Sequence, residues 1–206
     1  MSKIVEIYLI RHAETVWNIE ERLQGWSDSP LSEKGRKMSE AMSIKLRDIS
    51  FDKVYSSDLG RAKESVKLLV GNRNISIEYR KELRELALGK WEGLTFQEVK
   101  NRYPEEMEIY FNRPDLHKME NCEDYFDLQR RIRFFLKEIS KIDQERILIV
   151  AHGVSVQAIL NEIEGVNLQD FWGKPLVRGM HISQISYGPL GYSIVKRAKE
   201  IEGKSY

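Results

Sequence analysis

The sequence of 206 residues predicts an α/β layered fold with a largely parallel sheet. Two observations carry that expectation. Apolar runs of strand length alternate with longer segments whose apolar residues recur every three or four positions, the pattern of βαβ units. The runs YLI and ILIV are apolar without interruption, as strands buried on both faces are. Each of them discharges a histidine at its carboxyl end, in IYLIRHAETVWN (7–18) and ILIVAHG (147–153).

The elements follow in order. Residues 5–10 read as the first strand. A polar loop with Gly25, Asp28 and Pro30 leads to SEKGRKMSEAMSIKLRDI, whose Met38, Ala41, Met42 and Leu46 lie at helical spacing behind Ser32 as N-cap. Residues 51–56 read as a short strand, DLGRAKESVKLLVGN as a helix stopped by Gly71, and ISIEYR as an alternating strand. Residues 95–111 and 124–142 read as helices, the second with Phe126, Ile132, Phe135, Leu136 and Ile139 on one face. Between them NRPDLHKMENCED is polar and broken by Pro114, hence a loop. ILIVAHG is the second buried strand and VSVQAILNEI the helix after it. SQISYG and YSIVKRA, joined through Pro189, Leu190 and Gly191, form a C-terminal hairpin. No repeat, low-complexity segment or linker divides the chain, so residues 1–206 are expected to form a single domain.

Composition narrows the function. Lys plus Arg number 33 against 32 for Asp plus Glu, without the basic excess of nucleic-acid binders. Cys122 is the only cysteine, which removes an intramolecular disulfide and a cysteine-based zinc site. MSKIVEIYLI lacks the features of a signal peptide, and no apolar stretch reaches the ~18 residues of a membrane span. A cytoplasmic protein with no membrane or nucleic-acid partner is the expectation.

In open α/β sheets ligands bind beyond the carboxyl ends of the strands. Arg11 and His12 stand at one such end, His152 and Gly153 at another, so neighbouring strands would turn both imidazoles into one pocket. Arg11 offers a planar fork of donors suited to phosphate or carboxylate. Arg61 lies in the first turn of a helix, beside free backbone N–H groups. Asn18 and Gln24 add neutral donors. Two histidines amid two arginines suit a multiply charged anion, and the arginines favour neutral, nucleophilic imidazole. A histidine attacking phosphorus divides one difficult displacement into two. The departing oxygen then needs a proton, for which KELRELALGKWEGL supplies Glu82, Glu85 and Glu92; spacing alone does not choose among them.

These blocks carry a resemblance. RHAETVWN, LQGWSDSPLSEKGRKMSEAM, VYSSDLGRAKESV, LRELALGKWEGLT and ILIVAHGVSV follow one another as the blocks of the histidine phosphatase superfamily do, and span most of the chain. The sequence therefore resembles the phosphoglycerate-mutase-like group of that superfamily. The resemblance implies a three-layer α/β/α sandwich and a histidine acid-type phosphatase that needs neither metal nor cofactor. It makes His12 the phosphorylated nucleophile and Glu85 the proton donor. It assigns phosphate binding to Arg11, Asn18, Arg61 and His152, assisted by Gln24 and the backbone of Gly153. Two departures stand out. Ala13 replaces the usual glycine, and MHISQIS carries His181 where asparagine is usual, which puts His181 at the pocket rim.

The leading function is hydrolysis of a small phosphate ester. A phosphoglycerate mutase primed by 2,3-bisphosphoglycerate is the alternative. The short chain, the form of LALGKWEG and the few basic residues in 112–124 favour the phosphatase. A non-catalytic binder of phosphorylated ligands would have lost His12 or Glu85, and a zinc hydrolase would show carboxylate ligands beside the histidines. Trp17, Trp26 and Trp91 are read as packing groups, Cys122 as an unreactive thiol and His117 as a loop histidine, while Trp172 has no assignment. The C-terminal strands leave a homodimer edge open.

Overall fold

A computed structural model describes residues 4–120 and 122–200. Residues 1–3 and 201–206, the two ends of the expected domain, and Asn121 of the 112–124 loop lie outside the described residues.

The first strand, β1 (Val5–Arg11), is followed by a short helix α1 (Val16–Ile19), then α2 (Glu33–Lys45), β2 (Lys53–Ser57), α3 (Gly60–Val70) and β3 (Ile77–Arg80). Two 3-10 turns lead to α4 (Phe96–Arg102), α5 (Pro104–Asn112), α6 (Tyr125–Ile139), β4 (Arg146–Ala151), α7 (Gly153–Glu164), and the hairpin β5 (Ile182–Gly188) and β6 (Gly191–Lys196). The strands form one sheet in the order β3-β2-β4-β1-β5-β6. The first four are mutually parallel, β5 runs antiparallel to β1, and β6 runs antiparallel to β5.

Alternation along the central strands builds two cores. Ile7, Leu9, Ile147 and Ile149 face α6 and α7, while Tyr8, Ile10, Leu148 and Val150 face α2 and α3. The result is the three-layer α/β/α sandwich. After β1 the chain crosses to the α2–α3 face, and after β4 to the α7 face, so the two connections leave adjacent strands in opposite directions. A crevice opens between their carboxyl ends, the usual place for a ligand in an open parallel sheet.

Local chemistry sets the helix limits. Ser32 caps α2 by accepting from Gly35 N at 2.9 Å, and Asp124 caps α6 in a reciprocal bond with Asp127. The single helix expected over 95–111 is two. Tyr103 leaves the helical region at φ −135° and ψ 52°, and Pro104 starts α5 as its first residue. The expected apolar face of α6 also needs correction. Phe126 is 48 % exposed, whereas Tyr125, Leu128, Ile132, Phe135, Leu136 and Ile139 are buried. A helix that begins at Tyr125 repeats its inner face from that residue, and Phe126 is turned about 100° away.

The entry to α2 lies hard against the loop that follows β1. A Cβ on Gly35 would stand 2.1 Å from Glu14 O, with backbone on the other side. Gly35→Ala is expected to lower unfolding stability by about 1–3 kcal/mol, because neither element can give way cheaply. Urea unfolding with an unchanged slope is the check; a midpoint equal to that of the parent chain would show the approach is slack.

Candidate active site

His12 and His152 each follow directly on a strand, and parallel pairing of β1 with β4 places them side by side. The register runs to Arg11 opposite Ala151, and His12 N extends it by donating to Ala151 O at 2.9 Å. The two ring centroids are 5.1 Å apart and both rings are buried. His12 Nδ1 lies 2.7 Å from Ala13 O, which can only accept. That nitrogen therefore carries the hydrogen, and Nε2 keeps its lone pair. Among the described residues neither ring nitrogen of His152 has a hydrogen-bond partner. Burial, then the charges of Arg61 and Arg11, hold His12 well below the ordinary histidine range. Burial, Arg61 and His12 do the same to His152.

Arg61 is 1 % exposed although it sits in the first turn of a helix. Its Nη1 donates to Ser27 O at 2.8 Å and to Asp28 Oδ1 at 3.1 Å, and Nη2 donates to Gly25 O at 2.8 Å. Nε is buried without a partner. Asp28 also accepts from the backbone N–H groups of Gly60 and Arg61, so one carboxylate caps α3 and aims its arginine. Arg11 is anchored by Nη1 to Val177 O at 3.1 Å. Gly153 packs against it, where a Cβ would come within 3.3 Å of Arg11 Cζ. Thr15 and Asn18 cap one another across α1, which engages Asn18 Oδ1 and leaves its amide nitrogen as a donor. Gln24 Nε2 donates to Thr15 Oγ1 at 2.9 Å, with Oε1 buried and unpartnered.

The three glutamates separate by geometry. Glu82 is paired with Arg80, at 3.0 Å. Glu92 accepts from the backbone of Trp26, Ser27 and Leu88, so it fastens the 24–28 loop. Glu85 reaches across to the start of α7, accepting from Val154 N at 3.0 Å and Ser155 N at 3.1 Å. It lines the same cavity as Arg11, His12, Asn18, Gln24 and Arg61. The arrangement presents an imidazole lone pair, two guanidinium groups and a carboxylate to one enclosed space.

A family model described as the histidine phosphatase superfamily (branch 1) matches residues 7–199. The chain belongs to the histidine phosphatase superfamily. It is 29 % identical over 170 residues to phosphoserine phosphatase 1 of Hydrogenobacter thermophilus, covering 82 % of this chain and 81 % of that one. The structure of Bacillus stearothermophilus YhfR superposes with a TM-score of 0.90 at 31 % identity, over 96 % of this chain and 98 % of that one. A phosphoglycerate mutase from Bacillus anthracis superposes with a TM-score of 0.81 at 26 % identity, over 95 % and 93 %. Proteins named as a phosphatase and as a mutase are thus both similar to this chain.

Against the pattern of the histidine phosphatase superfamily, Ala13 adds no strain. It is absent from the residues with positive φ, its methyl is buried, and its N–H donates to Ser65 Oγ at 3.0 Å. His181 is not on the cavity wall; its Nδ1 lies 3.0 Å from Gly179 O. His117 lies in the loop after α5, as expected, but is buried there. It is 2 % exposed, its ring centroid 5.0 Å from Tyr110, and burial pushes its imidazole down to about 4. Trp172, unassigned in the sequence, lines the cavity and donates from Nε1 to Tyr110 O and Tyr125 Oη, each at 3.0 Å. Trp91 is packed as expected, while Trp26 is 43 % exposed and holds its indole N–H on Glu85 O. Burial raises the Cys122 thiol. Among the described residues no three His, Cys, Asp or Glu side chains are grouped to hold a metal, and no helix is long and apolar enough to cross a membrane. Asp28 and Thr15 support the site without having been singled out, and Glu92, one of the three candidate proton donors, fastens the 24–28 loop instead. The signal for Asp28 was available in the SDSP turn, since aspartate is a common cap, but not the helix it caps.

Both site histidines should stay neutral from pH 8 to about pH 6 when their ring C–H resonances are followed by NMR. A midpoint near the ordinary value of about 6.5 would show that burial and the arginines do not govern them. The folded state resists protons that the unfolded chain accepts near that value. Their contribution is therefore fully present above about pH 6.5, and stability falls as pH drops below it.

Proposed function

We propose that the protein is a phosphomonoesterase acting on a small phosphorylated metabolite through a phosphohistidine at His12. The observation that supports it best is that Arg61 Nε and both ring nitrogens of His152 are buried without partners among the described residues, while Arg61 shares the cavity of His12 and the His152 ring lies 5.1 Å from that of His12. Buried donors left unpaired are costly, and a phosphoryl group would accept from Arg61 Nε–H and from the one N–H of neutral His152.

In this reading Arg11, Arg61, His152 and Asn18 hold the phosphate, with Gln24 and the Gly153 backbone beside it. His12 Nε2 attacks phosphorus as the ester P–O bond breaks, and the leaving oxygen takes a proton from Glu85. Nδ1–H stays on Ala13 O and balances the charge that develops on the ring. Water then attacks phosphorus and gives a proton to Glu85, while the P–N bond electrons return to Nε2. The arginines do the electrostatic work that a divalent ion does in kinases, so we propose a metal-independent, acid-type histidine phosphatase. We take residues 1–206 as one catalytic domain. The free thiol of Cys122 fits a reducing compartment, and we place the enzyme in the cytoplasm.

The test is incubation with 3-phosphoglycerate, with and without 2,3-bisphosphoglycerate, following free phosphate and the 2-isomer, alongside a panel of other phosphate esters. Phosphate release without isomer from any of them supports the phosphatase; primer-dependent isomerisation with little free phosphate makes the protein a mutase. His12→Ala is expected to abolish turnover and the acid-labile phosphoenzyme, with or without chelator, while its circular dichroism stays that of the parent. Appreciable residual activity removes histidine as nucleophile. Glu85→Gln should slow alkyl phosphates by about 10²–10⁴-fold and aryl phosphates far less, because a good leaving group scarcely needs the proton. Equal losses on both would take the proton-donor role from Glu85.

A further inference from the structure

The orientation of His12 rests on one backbone carbonyl, that of Ala13, and the carbonyl must itself be held. The backbone of His12 is fixed to β4, but Ala13 has left the sheet, and its N–H finds a partner on α3 instead. Ala13 N donates to Ser65 Oγ at 3.0 Å. Ser65 is fully buried, and its hydroxyl donates to Arg61 O at 2.7 Å. With its one proton spent there, the hydroxyl meets Ala13 as an acceptor. On the other side of Ala13, Ser32 N donates to Glu14 O at 2.9 Å.

A helical serine that bonds the carbonyl four residues earlier is common. Ser39 of α2 does so, donating to Gly35 O at 2.9 Å, and it is equally buried. Among the described residues that is the whole of its hydroxyl's bonding. Ser65 differs because its oxygen also reaches a second segment, immediately beside His12.

We infer, resting on the phosphohistidine reading, that Ser65 is a positioning residue that fixes the tautomer of His12 and couples it to Arg61. Three bonds make the path. Arg61 O accepts from the Ser65 hydroxyl, the hydroxyl accepts from Ala13 N–H, and Ala13 O accepts from His12 Nδ1–H. A carbonyl held in that direction repels a lone pair on Nδ1, so the lone pair stays on Nε2, where attack requires it. Arg61 and Ser65 lie about one turn apart on α3. One helix thus carries both the guanidinium for the phosphate and the tether of the imidazole. Attacking atom and phosphorus are kept in line, and a misplacement of about 1 Å costs about a hundredfold in rate.

The test compares Ser65→Ala with Ser39→Ala, each of which removes one buried helical hydroxyl. Nitrogen NMR of the imidazoles reads the His12 tautomer, and rapid quenching with p-nitrophenyl phosphate reads the rate of phosphoenzyme formation. The parent and Ser39→Ala are expected to hold His12 only in the Nδ1–H form. Ser65→Ala should show both forms and make phosphoenzyme about ten- to a hundredfold more slowly. Its affinity for inorganic phosphate should be unchanged, because the bonds from Arg61 to Gly25, Ser27 and Asp28 remain. Ser65→Thr, which keeps a hydroxyl able to bond the same carbonyl, is expected to restore both readouts. If Ser65→Ala does not fold, Ser65→Cys, with its weaker acceptor, makes the same comparison. The inference falls if His12 of the parent carries its hydrogen on Nε2, or if either readout of Ser65→Ala matches Ser39→Ala. A phosphoenzyme at His12 then leaves the phosphatase reading standing. A parent that forms no phosphoenzyme there overturns both.

Discussion

Two guanidinium groups, Arg61 buried and Arg11 half-buried, stand at the carboxyl edge of the sheet, and a cation withdrawn from water is tolerated only where anions and carbonyl oxygens surround it. Much of the surrounding structure answers that requirement. The loop carrying Gly25, Ser27 and Asp28 is folded over the start of α3, where its two carbonyls and one carboxylate enclose Arg61. Glu92 fastens the same loop from below through backbone bonds to Trp26 and Ser27. The segment from 174 to 180 returns to the sheet end, where Val177 O takes Arg11 and Met180 N donates to Arg11 O. Glu85 shares the cavity wall with both arginines. Segments more than 140 residues apart in sequence are thus drawn to one point by two charges, which remain short of the anion that would complete them.

The same two charges decide the state of the histidines. Burial alone would disfavour imidazolium, and the arginines add to it, so both rings are held neutral. Neutrality leaves one lone pair on each ring, and for His12 the carbonyl of Ala13 determines which nitrogen bears it. Backbone pairing of β1 with β4 sets the spacing between the rings. Packing, electrostatics and reactivity are therefore linked through one short stretch of parallel sheet. The phosphate end is rigid because strand ends and helix starts build it, whereas the far wall is drawn from α5 and from the chain that follows α7. A superfamily that keeps the first and varies the second would retain its chemistry while changing its esters.

Much of this was legible in one dimension. The strand runs ending in Arg11–His12 and in His152 could be read because a doubly buried strand has a plain signature and ends where polarity returns. Ser32 as a cap and the C-terminal hairpin were equally local. The failures were of other kinds. The helix expected over 95–111 ignored the restriction that Pro104 places on Tyr103, a local rule that a favourable apolar pattern concealed. Phe126 was assigned to the wrong face because the first buried residue of α6, Tyr125, was not counted. The burial of His117 and the place of Trp172 could not be read, since the rings around them come from four separate segments.

The amino-acid sequence by itself determined the order of strands and helices, the polar residues at two strand ends and, through its motif blocks, the superfamily. Periodicity, capping and strand termination are near-neighbour effects, so they are written along the chain. Only the tertiary structure decided that β1 lies beside β4 and that Asp28 aims Arg61, and it brought Glu85, picked out before by the motif blocks alone, into one cavity with His12. Those outcomes depend on contacts across 30 to 140 residues. Such contacts arise when the buried cations and the two apolar faces of the sheet are satisfied together, which no local pattern encodes.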